Sequence, residues 1–256
     1  MRKEYISTDI TDSIAIVTIN RPPVNALNSD AYGELFETFY SLSKDDSVRV
    51  VVLTGAGDKA FVAGADVTEF VALNSETGLA YSRRNNNVRE YIRTFNKPTI
   101  CAVNGLAYGG GLALALVCDI KIVCEESKFN LGEINMGILG ATQYVARAAH
   151  FGTACKLVYS GESIDAQTAL RVGIADEIVS RDALMERCLN LARTIAKKPP
   201  IAVKLAKQCI IKSQEEPLKT GLAFEEESLS RLWGTNDKNE AVTSFLEKRK
   251  AQFTGR

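Results

Sequence analysis

Histidine is almost missing: His150 is the only one in 256 residues. A hydrolase built on a Ser-His-Asp triad would have to use it as base, and the chain has no GxSxG turn to present a nucleophilic serine. Two residues before Gly152, His150 reads instead as a helix-end residue. An excess of one charge is missing too. The 31 basic and 31 acidic side chains cancel, leaving no electrostatic footprint for nucleic acid, whose binders gather Lys and Arg on one face. No apolar run approaches the roughly 18 residues of a membrane span, so no membrane partner is expected. The opening MRKEYISTDITDS is charged and lacks the apolar stretch and cleavage site of a secretory leader, which makes the cytoplasm the expected location. CxxC pairs are absent. The six cysteines, Cys101, Cys118, Cys124, Cys155, Cys188 and Cys209, sit in apolar segments and read as reduced thiols used as small core hydrophobes, with neither disulfides nor a metal site expected.

What is present is apolar periodicity that changes character along the chain. EYISTDI and SIAIVTI alternate as two paired strands with a turn near Thr11 and Asp12. After RPPVNALN, Asn28 can cap a helix whose apolar positions Tyr32, Leu35, Phe36 and Phe39 recur at three and four residues, and VRVVVLTG then supplies a fully apolar strand. A polar helix around SRRNNNVREYIRTF, the strand TICAV, a glycine-rich segment with its helix and the strand DIKIV repeat the pattern. Strands alternating with helices predict an α/β fold with a mainly parallel sheet or spiral. Beyond DEIVS only helical period remains. KKPP at 197–200 marks the expected boundary between a core of residues 1–198 and a helical region of residues 199–256.

GAGDKA at 55–60 matches the dinucleotide fingerprint GxGxxA, but FVAGAD follows where a helix should open, so a glycine turn after a strand is the better reading. Two other segments deserve comparison, AFVAGADV at 60–67 and NGLAYGGGLALAL at 104–116. Each follows an apolar strand, carries small residues and precedes a plausible helix start, where backbone N–H groups are unpaired and favour negative charge. Two such turns can hold an oxyanion between them. Glycines that simply let helix and strand pack closely account for the same residues equally well.

With CAVNGLAYGGG, LALALVCDIKI, FNLGEINMGILGATQ and SFLEKRKAQF following AFVAGADV in order, the chain resembles the crotonase superfamily of enoyl-CoA hydratases and isomerases over nearly its whole length. The resemblance implies a ββα spiral core with a C-terminal helical oligomerisation region, assembled as a homotrimer or a dimer of trimers. It implies an acyl-CoA substrate, with coenzyme A present as part of the thioester and no tightly bound cofactor. It assigns the thioester oxygen to the N–H groups of Ala65 and Gly110. Asn25, Ala26, Leu27, Lys59 and Ala63 match elements that line the coenzyme A cleft, and Lys248 matches a lysine that can reach a neighbour's phosphate. The family's frequent ADIK is ADVT here, with Thr68 in place of a phosphate-holding lysine.

Acid and base groups choose the reaction. Typical hydratases of the family use two glutamates; one is retained as Glu133 and the other position, two past the glycine triplet, is Ala113. A single carboxylate suffices to move a proton from one carbon to another. The resemblance therefore leans toward double-bond isomerisation. Hydration by Glu133 alone, thioester hydrolysis or decarboxylation on the same fold, and a non-catalytic acyl-CoA-binding subunit are the alternatives. Asp66, Glu69 and Tyr108 are candidates to stand in for the missing group, although Asp66 also reads as a helix cap. Gly137, Gly140 and Gln143 are candidate specificity positions. Tyr81, Tyr91 and Phe95 are candidates to line an acyl pocket, although their helical spacing reads more simply as core.

Overall fold

The computed structural model describes residues 5–256; Glu4, the first residue of the expected opening strand, lies outside them. β1 (Ile6–Thr11) and β2 (Ile14–Ile19) pair antiparallel across Asp12 and Ser13, both at positive φ, which matches the twist of a two-residue hairpin. The Asn28 side chain accepts from the Ala31 N–H and opens α1 (Ser29–Lys44), which buries Tyr32, Leu35 and Phe39. β3 (Val50–Gly55) is buried along its whole length. β4 (Ala60–Val62) leads through a 3₁₀ turn, Val67–Ala72, to α2 (Ser75–Arg93), which starts on an Asn74/Thr77 capping box. β5 (Thr99–Val103), β6 (Leu106–Tyr108), α3 (Gly110–Leu116), β7 (Ile120–Cys124) and β8 (Lys128–Asn130) follow. A second 3₁₀ turn, Gly132–Met136, precedes α4 (Thr142–Ala148) and α5 (Phe151–Ser160). β9 (Ile164–Asp165), α6 (Ala166–Val172) and β10 (Glu177–Val179) end the run of strands. The rest is helical: α7 (Arg181–Ala196), α8 (Pro200–Ser213), α9 (Leu218–Trp233) and α10 (Asn236–Leu246).

Two sheets result. The larger runs β1-β2-β3-β5-β7-β10 and is parallel after its first pair; the smaller runs β4-β6-β8-β9 and is parallel except at β9. Leu184, Cys188 and Ala192, four residues apart along α7, cover one face of the larger sheet against Val50, Val52, Ile100 and Ile122. The other face packs on α1, α2 and the smaller sheet, where Phe39, Phe61, Leu112 and Phe129 are fully enclosed. GAGDKA is a turn running into β4, as its context predicts. The expected boundary at 198 falls between α7, which lies on the sheet, and α8, which packs on α9. Cys101, Cys118, Cys124 and Cys188 are buried free thiols, and Cys155 and Cys209 are half-buried. Among the described residues no helix is long and apolar enough to cross a membrane.

The sequence pattern did not reveal the smaller sheet as a unit. β6 in particular lies inside the segment read as one glycine turn between TICAV and its helix. Strands of three residues are too short to show a period of two.

Candidate active site

β4, β6 and β8 are parallel neighbours, and just beyond their C-terminal ends lie Ala65, Gly110 and Glu133 respectively. Open α/β sheets commonly bind ligands at such strand ends. The RPPVNAL turn fixes the first of these. The Ala63 N–H donates to the Val24 carbonyl, Leu27 N–H to Gly64 and Asp66 N–H to Leu27, so the residues on either side of Ala65 are held while its own N–H donates to nothing among the described residues. Gly110 opens α3 and, as a first helical residue, has no intrahelical acceptor for its N–H. A Cβ built on Gly110 would lie 3.7 Å from the Ala65 nitrogen. The two free N–H groups are therefore close neighbours.

Each glycine of the triplet has its own reason. Gly109 adopts φ +49°, ψ −116°, and its N–H donates to the Asn130 carbonyl; a Cβ there would meet Glu133 Oε1 at 2.7 Å. Gly111 carries α3 against β4 so closely that a Cβ would lie 2.0 Å from the Val62 carbonyl oxygen.

Glu133 sits in the Gly132–Met136 turn, whose end is left-handed at Gly137. Its Oε1 would also be 2.7 Å from a Cβ on Gly140, so the carboxylate occupies a slot between two backbone segments that have no side chain there. Oε2 is buried without a hydrogen-bond partner. Burial raises the carboxyl above its ordinary value of 4.5, an internal backbone hydrogen bond opposes that, and Arg89 opposes it further. A carboxylate kept short of partners and near donors for a developing negative charge is suited to accept and return a proton.

All three groups line a cleft of about 1680 Å³. Its walls include Tyr32 of α1, Tyr81, Asn85 and Arg89 of α2, and Tyr144 of α4. The Tyr32 hydroxyl lies 3.0 Å from where a Gly110 Cβ would stand, and the Arg89 guanidinium carbon is 5.8 Å from the Tyr32 ring centre. Burial raises the Tyr32 phenol, and Arg89 draws it back. None of these wall residues was picked out by motif. Tyr81, Asn85 and Arg89 recur every four residues on one stripe of α2, and that spacing was the available signal.

The remaining expected positions divide. Asn25 is buried at φ +57°; its amide donates to the Ala56 and Ala60 carbonyls and its Oδ1 accepts from the Arg21 N–H. Leu27 is enclosed in the core. The turn therefore leaves Ala26 and Ala63 half-buried and the Asn25 and Leu27 side chains enclosed, and none of the four is among the residues that line the cleft. Lys59 and Lys248 are exposed and outside the cleft walls. Ala113 is completely buried in α3. Its proposed substitutes are occupied elsewhere: Asp66 caps the Val67–Ala72 turn and pairs with Arg21, Glu69 accepts from Ser29, and the Tyr108 hydroxyl bonds to Ser163. Thr68 donates its hydroxyl to Asp66. Gly140 and Gln143 line the cleft and Gly137 does not. Of the three aromatics read as core, Phe95 is buried and Tyr91 packs against it, but Tyr81 faces the cleft. His150 is the exposed cap residue of α5.

The fold and the three strand-end groups define a class. A model of the enoyl-CoA hydratase/isomerase family matches residues 9–256, and the chain belongs to that family of crotonase-fold enzymes. It is 39% identical over 243 residues, 93% of each chain, to a short-chain-enoyl-CoA hydratase of Clostridium acetobutylicum. It is 38% identical over 249 residues, 95% of this chain and 96% of the other, to a 2,3-dehydroadipyl-CoA hydratase of Escherichia coli. A crystal structure of an enoyl-CoA hydratase from Bacillus anthracis superposes with a TM-score of 0.95 at 34% identity, covering 99% of this chain and 100% of that one.

Proposed function

We propose that the protein converts an enoyl-CoA thioester through an enolate held by the Ala65 and Gly110 N–H groups, with Glu133 as the only acid/base. The observation that carries this reading is the buried, unpartnered Glu133 carboxylate oxygen in the same cleft as the two neighbouring free N–H groups. A 3-enoyl thioester loses a C2 proton to Glu133, negative charge spreads onto the thioester oxygen, and the two N–H groups donate hydrogen bonds to that oxyanion. Glu133 then returns the proton to C4, the double bond shifts to C2–C3, and nothing else is gained or lost. Losing one such donor typically costs about 100-fold to 1000-fold in rate.

Ala113, with Asp66, Glu69 and Tyr108 all engaged elsewhere, favours this shuttle over two-carboxylate hydration. The second reading is hydration by Glu133 alone, in which the carboxylate takes a proton from water as oxygen attacks C3 and delivers it to C2. The hydratase names of the similar proteins favour it. Coenzyme A enters as part of the substrate and no tightly bound cofactor takes part. Ala26, Ala63 and the main chain of Asn25 and Leu27 border the thioester, and Lys59, with Lys248 from a neighbouring copy, meets its phosphates. Residues 199–256 join copies into a homotrimer or a dimer of trimers in the cytoplasm.

Incubation with paired 2-enoyl and 3-enoyl CoA esters, followed by separation of products, tests the reading. Formation of 2-enoyl from 3-enoyl ester without water uptake supports isomerisation, and hydroxyacyl product supports single-base hydration. Binding without turnover would identify an acyl-CoA-binding subunit, and release of free coenzyme A a thioester hydrolase.

A further inference from the structure

One stripe of α2 brings polar side chains to an otherwise largely apolar cleft. Tyr81, Asn85 and Arg89 stand four residues apart on α2, spanning about 12 Å of helix axis along one stripe. Asn85 is 1% exposed and its Oδ1 has no partner; the Tyr81 hydroxyl, also buried, has none either. Arg89 donates its Nε to the Asn85 carbonyl and lies over the Tyr32 ring, and among the described residues no carboxylate comes within ion-pair distance of it. The neighbouring cations differ. Arg93 is paired with Glu90 and Glu215, and Arg147 donates to Gln143. Arg89 and Arg147 are thus the wall guanidiniums without a carboxylate partner among the described residues, and a single ring, that of Tyr32, separates Arg89 from the Gly110 and Ala65 donors.

A saturated tail laid on this wall would remove water from the half-buried Arg89 guanidinium and return no hydrogen bond to it. A planar anion would satisfy it, since guanidinium and carboxylate match as paired donors and acceptors. We propose that the acyl group taken by this cleft carries a second carboxylate at its far end, held by Arg89. The substrate class is a coenzyme A thioester of a short dicarboxylic acid. This inference rests on the reading of the cleft as an acyl-CoA site and adds which acyl group it selects.

Equilibrium binding of saturated thioesters tests it without any turnover: glutaryl-CoA against pentanoyl-CoA and adipyl-CoA against hexanoyl-CoA, measured calorimetrically on the full chain. The diacid ester of at least one pair is expected to bind roughly tenfold or more tightly. Arg89→Met, which keeps an unbranched stem of similar reach, is expected to erase that preference while leaving the alkyl esters bound as before or better, and Arg89→Lys to restore part of it. Equal or weaker binding of both diacid esters by the native protein overturns the proposal, as does a preference that survives in Arg89→Met. If no thioester binds in any variant, the acyl-CoA reading of the cleft fails. If the diacid preference holds while Glu133→Gln still turns over enoyl esters, only the base assignment fails.

Discussion

Glu133 has two faces, one kinetic and one energetic, and both follow from the same burial. In the proposed reaction it must be ionised, so the rate should fall as pH falls through its titration, with a midpoint above the ordinary 4.5; a pH profile of kcat reads this directly. Glu133→Gln should lower kcat by about 100-fold to 10,000-fold with little change in the binding of saturated acyl-CoA, and an unchanged rate would remove Glu133 from the mechanism. The energetic face has the opposite sign from that of a salt-bridged acid. Because the folded state raises this carboxyl, its contribution to stability is present at low pH and is lost as pH rises from the unfolded value through the folded one. Glu133→Gln should therefore melt higher than the native protein at neutral pH, and the gap should close below the carboxylate range in pH-dependent calorimetry. Ala113→Glu tests the complementary point: a gain of hydroxyacyl product would supply the missing acid, at a cost in stability because the position is wholly buried. The family resemblance, and not spacing or period, pointed to Glu133, Ala65 and Gly110, and the structure brings the three to one cleft. Arg89, Asn85 and Tyr32 were not legible in the sequence, since a polar or aromatic residue at helical spacing does not say whether its stripe meets core, solvent or a cleft.

At the scale of elements, the glycine triplet divides its work among packing, turn and ligand. Gly111→Ala should destabilise the fold by about 1–3 kcal/mol or more, as overpacking does, because a Cβ has no room before the Val62 carbonyl; denaturant unfolding measures it. Gly109→Ala adds strain at positive φ and pushes directly on Glu133, so activity should fall further than its loss of stability explains. The sequence alone could not separate tight packing from ligand approach for these glycines. Both are present, at adjacent residues. The long strands β2, β3, β5 and β7 and the helical tail were readable from apolar period, whereas the smaller sheet, which carries the site, consists of pieces that only tertiary pairing defines.

For the whole molecule, the C-terminal helices leave much apolar surface uncovered: Leu218, Leu222, Leu229 and Trp233 on α9, and Val242, Phe245 and Leu246 on α10, with Phe245 82% exposed. Surface of that kind marks an interface between proteins. Sedimentation should give a trimer or hexamer, and the double variant Phe245→Glu, Leu246→Glu should shift the mass toward monomer; a native monomer would count against the assembly. The three neighbouring strands also act as a ruler. Adjacent strands lie about 4.8 Å apart whatever their side chains, so the spacing of the three strand ends that lead to Ala65, Gly110 and Glu133 is set by backbone hydrogen bonding. In the proposed reaction, a frame gauged this way would hold the spacing of the reacting groups while residues on α2 set which acyl group is taken.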